Sequence, residues 1–205
     1  MIRLHDYWRS SASYRVRIAL GLAGLDWESA PVDLTRDAQR SPAHLARNPQ
    51  GFVPVLEIDG LVLTQSLAIC EYLDETRGLA LLPEDPAARA RVRALAHAVA
   101  MDIHPVCNLG VARHAVAASG GAITTEGWMR AFIGPRLAAL EAMLAGGVRC
   151  HGDGVTLADL CLVPQVYNAR RWGVDLDPLP KIRRIDAALA ALPAFAAAHP
   201  DRVAR

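Results

Sequence analysis

Hydrophobic periodicity changes character once along this chain, at Leu79–Pro86. Ahead of that point, strand-like and helix-like runs alternate. Ile2–Asp6 reads as a strand, and Ser11–Ala23 as a helix with Val16, Ala19, Leu20 and Ala23 at helical spacing. Trp27–Leu34 is strand-like, and Pro42–Arg47 reads as a short helix before the turn signal Asn48-Pro49-Gln50-Gly51. Val53–Ile58 and Leu61–Thr64 flank Asp59-Gly60, a pair that tolerates the positive φ values of a tight hairpin. Ser66, a good N-cap, opens a helix that runs to Thr76. The order β-α-β-α-β-β-α suits a small mixed sheet with helices on its faces.

Past Pro86 the pattern is helical throughout. Ala87–Ala118 reads as one alanine-rich helix bent near Pro105, followed by Glu126–Leu144, Thr156–Trp172, Ile182–Leu192 and Ala194–His199. The expected organisation is an α/β domain over residues 1–78, a linker over 79–86 and an all-α helical domain over 87–205. A cleft between two such domains is a common ligand site.

Composition removes several function classes. The 22 basic and 21 acidic residues leave a net charge of +1, which lacks the electrostatic footprint of a nucleic-acid binder. No apolar run approaches the ~20 residues of a membrane-spanning helix. Met1–Asp6 lacks the layout of a signal peptide, so a cytoplasmic location is expected. Cys70, Cys107, Cys150 and Cys161 form no C-x-x-C pair and read as buried, reduced thiols. The seven histidines are scattered, and a zinc site is not expected.

Three places could carry chemistry besides their part in folding. Ser10 and Ser11 stand where the first strand gives way to the first helix. One serine is accounted for by capping; the pair is not. The free N–H groups and dipole of a helix start favour an anion, and a thiolate there ionises below the ~8.5 of a free thiol. This chain has no cysteine at that point to supply the sulfur; a bound thiol cofactor could. Val53–Pro54 puts a proline in a strand-like run, which marks an edge or a cis bond. Gln65–Ser66 opens the third helix, where a carboxylate can be held as well as the helix capped.

The segment Ser10-Ser11-Ala12-Ser13-Tyr14-Arg15-Val16-Arg17-Ile18-Ala19-Leu20 resembles the motif of zeta-class glutathione transferases, the maleylacetoacetate isomerases, and of the related bacterial maleylpyruvate isomerases. The likeness continues in order through Asn48-Pro49, Val53-Pro54, Gln65–Ile69, Leu82-Pro83, Asn108, Gly152-Asp153, Thr156–Leu160, Val163–Val166 and Val174–Leu176. It implies a glutathione transferase fold, with a thioredoxin-like first domain and a helical second domain, and a homodimer. Glutathione is the implied cofactor, held by Ser10, Ser11, Gln39, Val53, Pro54, Gln65, Ser66, His104 and Asn108, with Ser10 and Ser11 catalytic. His104 and Asn108 lie four apart, on one face of the expected long helix. Thr156-x-x-Asp159 resembles a capping box and is assigned to folding.

The implied reaction is cis–trans isomerisation of a maleyl double bond in a small dicarboxylate substrate. The thiolate adds to the alkene, the resulting single bond rotates, and loss of the thiolate returns glutathione unchanged. Arg9 and Arg170 or Arg171 are the expected carboxylate anchors, because a guanidinium binds carboxylate through two parallel bonds. Two departures stand out. Ala12 replaces a frequent cysteine, and Leu109-Gly110 stand where maleylpyruvate isomerases carry a further arginine. A transferase that keeps the sulfur on its product, acting on electrophiles such as α-haloacids, is the alternative reaction. Activation by Tyr7 is a further alternative, and a non-enzymatic interaction module is an alternative of another class.

Overall fold

The computed structural model describes residues 1–204. Its contacts divide into two compact units, Met1–Leu79 joined by 191–204, and Ala80–Ala190.

The first unit contains β1 (Arg3–Asp6), α1 (Ser11–Leu22), β2 (Glu28–Pro31), 3-10 turns at Leu34–Arg36 and Ala38–Arg40, α2 (Pro42–Leu45), β3 (Val55–Ile58), β4 (Leu61–Thr64) and α3 (Ser66–Arg77). The sheet order is β2-β1-β3-β4, with β1 and β2 parallel and the other pairs antiparallel. The β3–β4 turn has φ of 52° at Asp59 and 78° at Gly60, as the Asp-Gly pair implies. Asp59 also accepts from Tyr72 Oη and Arg77 Nη2, both at 2.6 Å, which ties the hairpin to α3.

α1 is buried on almost every side, from Ser13 to Leu20. Part of its cover comes from the end of the chain, where α9 (Pro193–Ala198) packs on it and α10 (Pro200–Val203) packs on α9. Tyr14 Oη donates to Phe195 O at 3.3 Å and Arg17 Nε to Ala198 O at 3.1 Å. A Cβ on Gly21 would lie 3.2 Å from Ala194 Cβ, so the glycine permits this close approach. Residues 191–204 therefore group by their contacts with the α/β unit. The reason is that α1 presents two long polar side chains whose donors find the carbonyls of α9.

The second unit holds α4 (Pro86–Ala100), α5 (Leu109–Ala118), α6 (Thr125–Met143), α7 (Leu157–Arg171) and α8 (Pro180–Ala190). α7 is buried along most of its length and packs against α4, α6 and α8. Asp159, fully buried, accepts from Thr156 N (2.7 Å), Thr156 Oγ1 (2.8 Å) and Cys150 N (2.8 Å), which secures the start of α7. The segment expected as a linker is tied to this unit. Leu81 is buried and its carbonyl accepts the N–H of Leu157, one of the orphan donors at the start of α7.

The expected long helix over Ala87–Ala118 is two helices. Residues 101–107 form turns, and Asn108 caps α5 by accepting from Gly110 N at 3.0 Å. Pro105 cannot donate to the helical ladder, and the Asn108 cap starts a new helix instead of continuing the old one. Among the described residues, no helix is long and apolar enough to cross a membrane, and no group of three or more His, Cys, Asp or Glu is placed to hold a metal.

Candidate active site

Strand register decides what meets at one end of the sheet. His5 on β1 pairs with Val55 on β3, and Val55 with Thr64 on β4. Three chain segments therefore lie side by side: Tyr7–Ser10 leaving β1, Val53–Pro54 entering β3, and Gln65–Ser66 leaving β4. α1 and α3 pack against each other and both start here, so two helix N-termini share the location.

Ser10 is the N-cap of α1. Its Oγ accepts from Ser13 N at 3.2 Å, and its N–H donates to Tyr7 O at 2.8 Å. A hydroxyl has one proton besides its lone pairs, so the capping bond leaves the Ser10 proton for an anion at the helix end. Ser11, the next residue, is buried. Neither α1 nor α3 has an acidic residue in its first turn, so no carboxylate there offsets the positive pole of either helix.

The Val53–Pro54 bond is cis. Val53 lies outside the β1–β3 pairing, and the loop before it is fixed by Phe52 O, which accepts from Asn48 Nδ2 (3.0 Å) and His44 Nε2 (2.9 Å). Gly51 has φ +66°, and a Cβ there would sit 3.2 Å from Gln39 O. The turn carrying Gln39 thus closes on the loop that leads to Val53. Gln39 Nε2 donates to Asp37 Oδ1 at 3.1 Å, while its Oε1 is buried without a partner.

Gln65, not Ser66, is the N-cap of α3, which corrects the expected capping role of Ser66. Gln65 has φ 67°, an uncommon value for a residue with a side chain and one that clusters at ligand clamps. That backbone turn carries Ser66 into the first helical position. Gln65 Nε2 donates to Gln50 Oε1 at 2.8 Å. Ser66 Oγ accepts from Arg15 Nη1 at 3.2 Å.

The sequence pattern gives Arg15 and Arg17 no role of their own, and both are buried. Their spacing on the buried stripe of α1 was the available signal. Arg17 pairs with Asp6 at 2.5 Å and donates to Trp8 O at 2.9 Å. Arg9 stacks over the Trp8 ring at 4.2 Å, and its Nε is buried without a partner.

In the second unit, His104 lies in the turn segment and Asn108 is a helix cap, so the expected shared helical face does not exist. Arg170 is committed to Asp186 of α8 at 2.7 Å. Arg171 stacks over Trp172 at 4.6 Å. All four cysteines are buried and outside any disulfide. Burial pushes the Cys107 thiol up to about 11 and the Cys150 thiol well above its ordinary value, which keeps both protonated at neutral pH. Tyr7 lines a hollow of about 780 Å³ with Trp8, Trp27, Val32 and Arg202; none of Ser10, Val53, Gln65 or Ser66 lines it.

A four-stranded mixed sheet with a cis-proline at the start of β3, joined to a helical unit, defines the glutathione transferase fold. Residues 9–76 match the family described as glutathione S-transferase, N-terminal domain. The chain is 63% identical over 204 residues to the maleylacetoacetate isomerase of Rhizobium meliloti (strain 1021), covering 97% of this chain and 96% of that one. It matches the crystal structure of maleylacetoacetate isomerase from Anaeromyxobacter dehalogenans 2CP-1 with bound GSH in the active site. That match has TM-score 0.89 and 49% identity, covering 100% of this chain and 97% of the other. The holo structure of a maleyl pyruvate isomerase, a bacterial zeta-class glutathione S-transferase, matches with TM-score 0.93 and 42% identity over 98% of both chains. This chain belongs to the maleylacetoacetate isomerase family, the zeta class of the glutathione transferases.

Proposed function

We propose that this chain is a glutathione-dependent isomerase that converts maleylacetoacetate to its fumaryl isomer. The observation that carries the reading is the meeting of two helix N-termini, neither offset by an acidic residue in its own first turn, beside Val53–Pro54. Glutathione fits this donor set, because it brings one anionic sulfur and two carboxylates to a place rich in N–H and O–H donors. When bound, it supplies a thiolate that adds reversibly to an alkene.

The chain's own groups do the rest. Ser10 donates its proton to the sulfur and, with the α1 N-terminus, favours ionisation. Val53 presents backbone groups to the cysteinyl part, as in strand addition, with Pro54 setting its direction. Gln65 and Ser66 hold the γ-glutamyl end, and Gln39 borders it. Ser11 and α1 N–H groups stabilise the charge that develops on the substrate ketone oxygen. His104 and Asn108 are proposed glutathione contacts of the second unit. Arg9 anchors a substrate carboxylate, and so does Arg170 or Arg171. Leu109 and Gly110 supply no cation where a maleylpyruvate isomerase carries one, which favours maleylacetoacetate.

We further propose a homodimer in the cytoplasm. The outer strand β4 exposes Leu61 and Val62, apolar side chains of the kind a partner covers. Sedimentation of the purified protein tests it, and a monomer at micromolar concentration refutes it.

The function is tested by incubating the enzyme with maleylacetoacetate or maleylpyruvate and glutathione, then measuring product and free thiol. Fumaryl product with glutathione returned is expected, faster with maleylacetoacetate. Consumption of glutathione in step with substrate would identify a conjugating transferase instead.

A further inference from the structure

Two arginines of α1 are buried, Arg15 at 3% and Arg17 at 2% exposure. Arg17 serves the fold through Asp6, Trp8 O and Ala198 O. Arg15 reaches from α1 to α3, where its Nη1 donates to Ser66 Oγ at 3.2 Å. Ser66 is buried too, at 7% exposure, in the first position of α3 and directly after the positive-φ Gln65.

A guanidinium can only donate, whereas a hydroxyl has one proton and two lone pairs. Arg15 occupies a lone pair of Ser66. The Ser66 proton therefore points to another acceptor, and the N–H groups of the first turn of α3 open at the same end. A buried guanidinium is also poorly screened by water and salt, so its charge is felt at that end.

We propose that Arg15 is a positioning residue for the α-carboxylate of the γ-glutamyl group. It holds Ser66 as an outward donor and sets a positive charge behind it. This rests on the reading that the α3 N-terminus takes that carboxylate. It divides the work along α1: Ser10 at the cap acts on the sulfur, and Arg15, five residues on, acts through α3 on the opposite end of the tripeptide.

The test compares glutathione with γ-aminobutyryl-cysteinyl-glycine, the same tripeptide without the α-carboxylate. Titration calorimetry is run on the wild type, Arg15→Gln and Arg15→Lys. The wild type is expected to prefer glutathione by tenfold or more, roughly the worth of a hydrogen bond to a charged group. Arg15→Gln is expected to lose about tenfold of that preference, and Arg15→Lys to recover part of it. Affinity for the analogue and the titration of the bound thiol stay at their wild-type values. Equal weakening for both ligands means a structural role and overturns the proposal, as does an undiminished preference. A wild type that binds the two ligands alike refutes the carboxylate site itself. Should both variants fail to fold, arginine side-chain nitrogen resonances of the wild type decide. The Arg15 signal is expected to move with glutathione and not with the analogue, and a signal indifferent to both overturns the proposal.

Discussion

Replacing Ser10 with glycine removes one hydroxyl and keeps a residue that helices accept at the N-cap. The capping bond from Ser13 N is 3.2 Å, at the long end for an N–H donor. Glycine at an N-cap costs only a few tenths of a kcal/mol, against roughly 0.5–2 for alanine. The melting temperature is then expected to fall by about 1 °C, since about 1 kcal/mol shifts a chain of this size by 2–4 °C. The effect on bound thiol is larger. A hydrogen bond to a charged group is worth about 1.5–3 kcal/mol, and 1.36 kcal/mol is one pKa unit. The bound sulfur is therefore expected to ionise about 1–2 pH units higher in Ser10→Gly. Part of the depression survives, because the free N–H groups of α1 remain. Ultraviolet thiolate absorbance of the glutathione complex, followed against pH, measures the shift. The acid limb of kcat/KM moves up with it, so turnover near neutral pH drops by roughly tenfold. A thiol titration that matches the wild type, in a variant that folds and binds glutathione, would refute the assignment of Ser10.

Three other outcomes follow from the packing. Arg17→Ala leaves Asp6 buried without its cation and detaches the Ala198 carbonyl; a loss of about 3–5 kcal/mol is expected in urea unfolding. Gly173→Ala places a Cβ 2.8 Å from Arg130 Nη2 at φ +65°, and about 1–3 kcal/mol of destabilisation is expected by the same measurement. Glu57 is held below the usual carboxylate range, chiefly by its hydrogen bond with His5 and also by Arg47. A lowered folded value means stability that is present above the ordinary carboxylate pKa and lost as pH falls through the folded one. Glu57→Gln is expected to flatten that acid limb in melting temperature against pH.

The features legible in the amino-acid order are those set by near neighbours. Ser10 caps α1, Asp59-Gly60 turns the hairpin, and Asp159 closes back on Thr156 three residues earlier. Each needs only local backbone geometry, which residue type controls directly. Ser10, Ser11, Val53–Pro54 and Gln65–Ser66 stand out in the sequence because they lie at the start of a helix or strand, whereas Gln39 comes only from the family resemblance. Tertiary structure alone decided the rest. Gln65 takes positive φ because β4 must turn abruptly into α3, and its residue type does not announce this. The residue types of Arg15 and Arg17 do not announce burial; Ser66, Asp6 and the carbonyls of Trp8 and Ala198 give them partners inside the fold. Residues 191–204 join the first unit because their carbonyls meet Tyr14 and Arg17, about 180 positions back in the chain. Arg170 finds Asp186 because α7 and α8 pack together, which its place in the sequence does not announce. Such outcomes depend on which donors and acceptors the fold carries into the same dry space, and nearby residues hold no record of that.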